Sequence, residues 1–338
     1  MEIKEKIKLS EHSTFRAGGD ARFFCNVKSI EDLKEAIDFA QKNNLKFMIL
    51  GGGSNILFDD LGFSGIIIKN NILGIKKESE NNDNVIFSFG AGEILDEVVN
   101  FLVENNFSLA ENLSGIPGTI GGAVFQNAGA YGVEVKDIVI SVEVYDTNTQ
   151  EIFLIPKEKC NFLYRQSIFK KNRSLVITKI YLKLNKNFVP NLEYAGLRKL
   201  FENAQNVTIK DIREGILNIR KERLPDWKKL GTAGCFFKNP IITEDKYLEI
   251  SEIYKDIPKF DAEEGFVKIS LGFVLEKVCD LKEFKIGEVG LYKKHSLTVI
   301  NFKNAKSSEI KSFAKVIEEK VFEKIGIKIE KEVEEVSF

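Results

Sequence analysis

The sequence predicts a mixed α/β fold, and three observations lead to that prediction. Helical periodicity and strand-like alternation follow one another along residues 1–185. A short apolar run at residues 47–50 ends directly in a glycine turn, as a buried strand of an α/β unit does. Amphipathic helical patterns then return in the last third of the chain. Both periods within one continuous region are typical of α/β or α+β domains.

The first predicted element is a helix over residues 30–42, where apolar residues recur at helical spacing. Ser29 and Asp32 form a plausible N-cap pair at its start. The apolar run that follows predicts a strand leading into Gly51. The apolar face of the helix consists of Ile30, Leu33, Ile37 and Ala40.

Further elements follow from the same two periods. The stretch 112–132 is rich in glycine and is expected to lack regular structure, and Pro190 marks a predicted boundary within residues 185–206. Alternation predicts strands over 85–89, 138–144 and 175–184, and helical spacing predicts helices over 95–102, 209–219 and 308–324.

Composition excludes several classes of function. Lysine and arginine total 49 against 50 acidic residues, so the formal net charge is −1. This balance disfavours nucleic acid as a partner, apart from a local basic patch. With His12 and His295 as its only histidines, the chain cannot build a multi-histidine metal site, and we expect no metal. Four scattered cysteines without a C-x-x-C pair fit a reducing compartment.

Nothing in the sequence predicts secretion or membrane insertion. Residues 1–16 lack the apolar segment of a secretory signal. No apolar run reaches the roughly 18 residues that a transmembrane helix needs. We therefore expect a cytoplasmic protein, a monomer or weak dimer, that acts on small molecules.

The first stretch with chemical content is the loop Gly51-Gly52-Gly53-Ser54-Asn55. Because glycines lack side chains, their N–H groups can approach an anion closely, and a loop after a strand is a reasonable phosphate cradle. A tight turn without a ligand explains the same residues about equally well.

The second stretch is more informative, because residues 114–123 contain four glycines and a proline. A long glycine-rich segment inside a compact domain is usually functional. Two such loops suggest a long ligand with a central pyrophosphate, and a dinucleotide fits that description. The alternative is a flexible surface loop, against which the apolar Ile116, Ile120 and Val124 argue.

Motifs along nearly the whole chain resemble those of the UDP-N-acetylenolpyruvoylglucosamine reductases, the MurB flavoenzymes of peptidoglycan synthesis. The glycine loops alone indicate only the broader FAD-binding fold of the vanillyl-alcohol-oxidase or PCMH type. Y-R-x-S-x-F at residues 164–169 and G-x-F-F-K-N-P at 234–240 point to this reductase. The other matching stretches are residues 13–19, 50–55, 115–122, 126–132, 224–226, 301–307 and 329–333.

The resemblance implies three parts and a cofactor. Two FAD-binding subdomains, residues 1–72 and 73–206, would hold FAD between them. Residues 207–325 would form a C-terminal α/β substrate-binding domain, and the tail 326–338 would return to the flavin site. FAD is expected to bind noncovalently, with NADPH as co-substrate. The expected flavin contacts are Gly51, Gly52, Gly53, Ser54, Asn55, Gly115, Ile116, Pro117, Gly118, Thr119, Gly122 and Ala123.

The implied reaction reduces the enolpyruvyl ether of UDP-N-acetylglucosamine to UDP-N-acetylmuramate. Arg165 matches the catalytic arginine, and a guanidinium suits a carboxylate on which charge builds. Glu332 matches a catalytic glutamate near the C-terminus, although Glu334 stands where the family usually has a basic residue. Cys235 stands where most members have the proton-donating serine, and an inert buried cysteine is the alternative.

Three further residues, Tyr194, Arg223 and Asn239, match substrate-binding positions of the family, and Lys238 is a fourth expected substrate contact. Tyr194 matches the tyrosine of a mobile loop over the diphosphate, which places the chain in the subclass that has this loop. Arg223 stands where lysine is frequent, and Lys238 and Asn239 are expected to face the site. Phe236 and Phe237 are expected in the core.

Three other functions are compatible with parts of this pattern. Another FAD oxidase of the same fold, acting on a sugar or hydroxy acid, explains the glycine loops but not the motifs around Arg165, Cys235 and Glu332. A nonenzymatic flavin- or nucleotide-sugar-binding module would retain the fold alone. A structural interaction protein finds little support, because heptads and repeats are not evident.

Overall fold

The computed structural model describes residues 1–337 and forms two compact units. The first unit comprises Met1–Ile7, Ala21–Gly53 and Ser64–Lys221, and the second comprises Lys8–Asp20, Ser54–Phe63 and the chain from Glu222 onward. The division into residues 1–72, 73–206 and 207–325 with a tail stays a prediction, and Phe338, the last residue of that tail, lies outside the described residues.

Strands and helices alternate along the chain, which confirms the mixed α/β prediction. In the described residues the strands are β1 (Ile3–Lys8), β2 (Asp20–Val27), β3 (Phe47–Leu50), β4 (Ile56–Phe58), β5 (Phe63–Asn70), β6 (Ile75–Glu80), β7 (Asn84–Gly90), β8 (Gly129–Ala130), β9 (Val133–Glu134), β10 (Val139–Asp146), β11 (Ile152–Pro156), β12 (Leu175–Asn185), β13 (Ile241–Thr243), β14 (Lys259–Asp261), β15 (Phe266–Ile269), β16 (Lys285–Ile286), β17 (Val289–Tyr292), β18 (His295–Asn301) and β19 (Glu334–Val336). The helices are α1 (Ile30–Lys42), α2 (Leu95–Glu104), α3 (Ile120–Phe125), α4 (Ile168–Lys171), α5 (Ala195–Leu200), α6 (Ile209–Arg223), α7 (Glu244–Ile253), α8 (Leu271–Phe273) and α9 (Ser307–Ile325). No helix within residues 1–337 combines the length and apolarity that a membrane span requires.

The first unit contains two larger sheets. One has the order β1-β2-β5-β3, with β3 parallel to β5, and α1 covers it through Leu33, Ala36 and Ile37. The other has the order β11-β10-β12-β7-β6 and is antiparallel throughout. Helices α2 and α3 pack on it, and their apolar faces share one buried cluster with β7, β10 and β12.

The second unit is built around α9. Its buried face shares one core with the sheet β16-β17-β18, with β15 of the sheet β13-β15-β14, and with Phe236 and Phe237. The two phenylalanines are 0% and 1% exposed, which confirms their predicted place in the core. The tail strand β19 lies parallel to β4, so the end of the chain runs beside the residues that follow Asn55.

The predicted boundaries agree with the structure where local signals are strong. Ser29 accepts a hydrogen bond from the N–H of Asp32 at the start of α1 (3.1 Å), and the helix spans the predicted residues. The expectation that residues 112–132 lack regular structure is wrong, because this stretch contains α3 and β8. Thr119 caps α3, and burial of Ile120 and Val124 stabilises a helix that its two glycines disfavour.

Candidate active site

The two glycine-rich stretches meet backbone to backbone in the first unit. A Cβ atom built on Gly52 would lie 2.6 Å from the Cα of Gly118, and one on Gly51 would lie 2.7 Å from Oγ1 of Thr119. Gly118 also has a φ of +110°, which residues with side chains rarely adopt. Any larger residue at Gly51 or Gly52 would therefore separate the loops.

The second loop leads directly into α3. Oγ1 of Thr119 accepts a hydrogen bond from the N–H of Gly122 (3.2 Å), and a Cβ on Gly121 would lie 2.7 Å from the carbonyl oxygen of Ala91. Glycine at these positions lets the first turn of α3 lie directly against the chain after β7. Two glycine-rich loops beside the start of α3 fit the phosphates of a dinucleotide, because backbone N–H groups can reach the phosphates where side chains are absent.

Asp96 on α2 holds the start of the second loop, and the sequence analysis missed it. Its Oδ1 accepts hydrogen bonds from the N–H of Gly115 (2.7 Å) and from Nη1 of Arg213 on α6 (2.6 Å). Burial by itself would raise the pKa of Asp96, but these hydrogen bonds outweigh it, and the pKa lies below its ordinary value. In the sequence Asp96 is indistinguishable from any acidic residue in a first helical turn.

Two of the predicted flavin-binding side chains, Thr119 and Asn55, have hydrogen-bond partners in the protein. Thr119 caps α3, as described above, and Nδ2 of Asn55 donates to the carbonyl oxygen of Glu332 (3.0 Å). Ser54 and Asn55 belong to the second unit, whereas Gly51 to Gly53 belong to the first. Contacts of all the predicted residues with the flavin, including Ile116, Pro117 and Ala123, stay predictions.

Arg165 sits in a tight turn of the first unit. Leu163 and Gln166 exchange backbone hydrogen bonds of 3.1 Å, and Arg165 between them has a φ of +56°. A left-handed non-glycine residue carries strain, and such residues cluster at functional sites. The turn directs the guanidinium to the main chain of residues 127–129.

The guanidinium of Arg165 is held by the glycine-rich segment 126–132. Its Nη2 donates to the carbonyl oxygen of Gly129 (3.0 Å), and its Nη1 lies 3.6 Å from Oε1 of Glu134. Its side chain is 16% exposed. The structure thus brings together the motifs at residues 126–132 and 164–169, which β10 and β11 separate in the chain, and holds the guanidinium in place.

The backbone of Glu332 pairs with that of Phe236, the residue after Cys235, in the second unit. The N–H of Glu332 donates to the carbonyl oxygen of Phe236 (2.8 Å), and the N–H of Val333 points to the same oxygen (3.5 Å). Two successive N–H groups on one carbonyl form a β-bulge, a feature that redirects side chains next to active sites. Cys235 therefore precedes the residue to which Glu332 is bonded.

The extended segment that carries Cys235 also pairs with β18. Cys235 lies opposite Thr298 of β18, and the N–H of Phe236 donates to the carbonyl oxygen of Leu297 (2.8 Å). This pairing to β18 and to Glu332 fixes the backbone of Cys235.

Cys235 differs from the other three cysteines in its surroundings. Burial raises the pKa of Cys25 and of Cys160 to about 12 and that of Cys279 to about 11, so these thiols stay protonated and unreactive. Cys235 is half-buried and lies in the G-x-F-F-K-N-P motif, opposite Thr298 of β18.

The predicted substrate-binding residues occupy different places. Nζ of Lys238 lies 2.8 Å from Oε2 of Glu330, and Oδ1 of Asn239 accepts from the N–H of Leu271 (3.0 Å). Arg223 ends α6 and belongs to the second unit. Tyr194 precedes α5 in the first unit, with its ring 4.9 Å from that of Tyr131. Their roles toward a substrate stay predictions.

We predict that Asp96→Asn lowers the free energy of unfolding by about 1 kcal/mol at pH 7, because a charge-assisted hydrogen-bond pair becomes neutral at a partly exposed site. The folded-state pKa of Asp96 is depressed, so its stabilisation is present above the unfolded pKa and is lost as pH falls through the folded pKa. Urea unfolding of both proteins from pH 7 to pH 3 measures this difference, which should shrink as pH falls below about 4. A difference that is constant with pH would contradict a role for the charge.

Comparison with known proteins identifies both parts of the chain. Residues 21–153 match the FAD binding domain model, and residues 226–336 match the model of the UDP-N-acetylenolpyruvoylglucosamine reductase C-terminal domain. Both glycine-rich loops, residues 51–55 and 114–123, fall inside the first match. The chain therefore carries an FAD-binding domain, and the contact between its two glycine-rich loops fits the pyrophosphate of that cofactor.

Relatives and a solved structure extend this match along the chain. The UDP-N-acetylenolpyruvoylglucosamine reductase of Flavobacterium johnsoniae is 36% identical and covers 98% of this chain and 99% of the relative. That of Buchnera aphidicola subsp. Baizongia pistaciae is 38% identical over 96% of this chain and 97% of its own. The crystal structure of MurB from Thermus caldophilus is similar with a TM-score of 0.69, at 23% identity over 99% of each chain, and supports the fold.

These matches favour the reductase over the other functions compatible with the glycine loops. The similarity to curated reductases extends through the C-terminal region that carries Cys235 and Glu332, which an FAD-binding domain alone would not explain. By sequence identity along nearly its whole length, the protein belongs to the UDP-N-acetylenolpyruvoylglucosamine reductase family of FAD-dependent oxidoreductases.

Proposed function

We propose that this enzyme uses NADPH and noncovalently bound FAD to reduce the enolpyruvyl ether of UDP-N-acetylglucosamine to UDP-N-acetylmuramate. The observation that carries the proposal is the backbone hydrogen bond from the N–H of Glu332 to the carbonyl oxygen of Phe236, the residue that follows Cys235. Membership in the reductase family supports the substrate. The composition and the scattered cysteines support a cytoplasmic enzyme that acts on small molecules.

When bound, FAD would supply the hydride that the terminal carbon of the enolpyruvyl group receives. The protein then has three tasks: it binds the carboxylate on which negative charge develops, provides a proton for the neighbouring carbon, and holds the diphosphate sugar. Each task fits residues whose surroundings are described above.

Arg165 is proposed to bind the substrate carboxylate. Its guanidinium is permanently charged and presents paired donors that match a carboxylate. Contacts with Gly129 and Glu134 hold it before a substrate arrives, so little conformational entropy is lost on binding. The left-handed backbone of Arg165 is the strain that this placement requires.

Cys235 is proposed to donate the proton. A thiol has an ordinary pKa of about 8.5 and is mostly protonated at neutral pH, so it can replace the serine found in most family members. Pairing with β18 and with the tail holds its backbone, which an acid aimed at one carbon face requires.

Glu332 is proposed to stabilise the enolate-like state together with Arg165. An acidic group beside developing negative charge must be positioned by partners or kept protonated, since it would otherwise repel that charge. The bonds from its N–H to Phe236 and from Asn55 to its carbonyl fix both sides of its peptide backbone. Tyr194, Arg223, Lys238 and Asn239 are proposed to bind the nucleotide sugar.

An anaerobic spectrum tests the proposed function as a whole. Adding NADPH to the purified enzyme should bleach the flavin band, and adding enolpyruvyl-UDP-N-acetylglucosamine should restore it. Bleaching without recovery would leave a flavin reductase and remove the proposed substrate. Oxygen consumption with sugars or hydroxy acids, without NADPH, would then support the oxidase alternative.

We predict that Cys235→Ala lowers the rate of flavin reoxidation by the enol ether by about 10²- to 10⁴-fold, the range for loss of a general acid. Reduction of the flavin by NADPH should be unaffected, because it requires no proton donor at this position. Cys235→Ser should keep substantial activity, because a hydroxyl retains the proton. Stopped-flow absorbance separates the two half-reactions.

Cys279→Ala is the matched control, because Cys279 is also half-buried and packs against the same core as Cys235. It should leave both half-reactions unchanged. Normal turnover by Cys235→Ala would exclude this residue as the proton donor.

We predict that Glu332→Gln lowers kcat by at least about 10²-fold while FAD content and flavin reduction stay at wild-type values, because the amide keeps the volume but not the acid. Glu335→Gln is the control, since it removes the same charge three residues along the tail, where Glu335 pairs with Lys331 (2.7 Å). Equal effects of the two substitutions on kcat would show that only the charge of the tail matters.

A further inference from the structure

A buried asparagine connects the glycine-rich segment to the stretch that carries Tyr194. Asn112 is 0% exposed. Its Nδ2 donates to the carbonyl oxygen of Tyr131 (2.7 Å) and to that of Asn191 (3.2 Å). One amide group thus joins main-chain positions 19 and 79 residues away in the sequence.

The other polar side-chain atom of Asn112 lowers the stability of the fold. Its Oδ1 is buried and has no hydrogen-bond partner among the described residues. A buried polar atom without a partner destabilises the fold, and an aliphatic residue of the same size would avoid that penalty. The gain that offsets it is the pair of hydrogen bonds from Nδ2.

The hydrogen bond from Asn112 to the carbonyl oxygen of Asn191 fixes the backbone that leads to Tyr194. Oδ1 of Asn191 accepts from the N–H of Glu193 (3.2 Å) and closes a local turn. The carbonyl oxygen of Tyr194 then accepts from the N–H groups of Leu197 (2.9 Å) and Arg198 (3.0 Å) at the start of α5. The backbone from Asn191 to α5 is therefore one continuous hydrogen-bonded piece, attached through Asn112.

The tie to Tyr131 places a second ring against Tyr194. The two rings pack edge to face, with centroids 4.9 Å apart and planes at 89°. Edge-to-face packing is sensitive to the relative position of the two rings. Because Asn112 bonds to the main chains of both segments, it sets the relative position of the two segments.

The apolar attachment of the same stretch lies elsewhere. Leu197 of α5 packs with Ile212 and Ile216 of α6, all 0% exposed, and Tyr194 is only partly buried against this group. A Cβ on Gly196 would lie 2.7 Å from Cε1 of Tyr194, so the ring occupies the space beside this glycine. Without Asn112 the turn before Tyr194 would lose its polar attachment, while α5 would keep its apolar one.

We propose that Asn112 is a positioning residue that holds Tyr194 in place for binding of the nucleotide sugar. The inference rests on the proposed function, in which Tyr194 contacts the diphosphate. Asn112 acts through the carbonyl groups of Asn191 and Tyr131. Its loss therefore weakens substrate binding and leaves the chemical step and the flavin unaffected.

The test substitutes Asn112 in two ways. Asn112→Leu removes both donors and the unpartnered acceptor at similar volume. Asn112→Asp keeps the shape but turns a carboxylate toward two carbonyl oxygens, and it serves if the leucine variant does not fold. In both, KM for enolpyruvyl-UDP-N-acetylglucosamine should rise about tenfold with kcat within about threefold, the pattern for lost uniform binding. Flavin reduction by NADPH at saturation should be unchanged.

Hydrogen exchange gives a readout that does not depend on activity. Peptides covering residues 188–201 should exchange faster in both variants, because the turn before Tyr194 loses its attachment. Ser108→Ala is the matched control, since Oγ of Ser108 is also buried and donates to the carbonyl oxygens of Asn185 (3.3 Å) and Asn187 (3.4 Å) at the base of the same stretch. It should leave KM and the exchange of residues 188–201 unchanged.

A double-mutant cycle with Tyr194→Ala decides whether Asn112 acts through the tyrosine. If it does, Asn112→Leu adds little to the KM of Tyr194→Ala. Additive effects, unchanged KM in the Asn112 variants, or unchanged exchange would each overturn the proposal. Failure of the proposed function is distinct, because the wild-type enzyme would then not turn over the enol ether.

Discussion

The close contact between the two glycine-rich loops, at Gly51 and Gly52 of one and Gly118 and Thr119 of the other, is the constraint on which the first unit depends. Gly52 lies against Gly118 at a distance that no Cβ allows, and Gly51 lies against Thr119. Because of this contact, the residues after β3 can lie directly against Gly118 and Thr119 at the start of α3. Around the contact, Thr119 caps α3 and Asp96 holds Gly115. The FAD-binding domain is thus built from positions where a side chain would be an obstacle.

Buried polar side chains make this glycine-rich region rigid. Asn112 and Asn127 are both 0% exposed, and each bonds to main-chain groups of distant segments. The carboxylate of Glu111 accepts from the N–H of Leu109 (2.8 Å), and its burial raises its pKa. A chain with so many glycines loses much conformational entropy on folding, and hydrogen bonds to its backbone offset part of that loss. The rigid segment also holds Arg165, because the guanidinium donates to the carbonyl oxygens of Asn127 and Gly129.

In the second unit, the main feature is the attachment of the tail, residues 329–336, to the rest of the unit. The N–H of Glu334 donates to the carbonyl oxygen of Asn55 (3.1 Å), and β19 continues parallel to β4. Val333 and Ile329 of the tail are buried in the same core as Phe236 and Phe237. Asp60 accepts from the N–H groups of Ser307 and Ser308 and so ties the chain after β4 to the start of α9. Apolar burial and backbone pairing together hold Glu332 on a segment that would otherwise fray.

Local sequence patterns were sufficient to predict α1 with its Ser29 cap, α6, and the alternating β10 and β12, because the cause of each lies within the element itself. Resemblance to a family supplied Arg165, Cys235 and Glu332, but not what holds them. The tertiary structure decided that residues 112–132 contain α3, that Phe236 bonds to Glu332, and that Asp96 and Asn112 support the loops. The physical reason is that these features depend on hydrogen bonds and burial between residues far apart in the chain. No local pattern can specify partners at that distance.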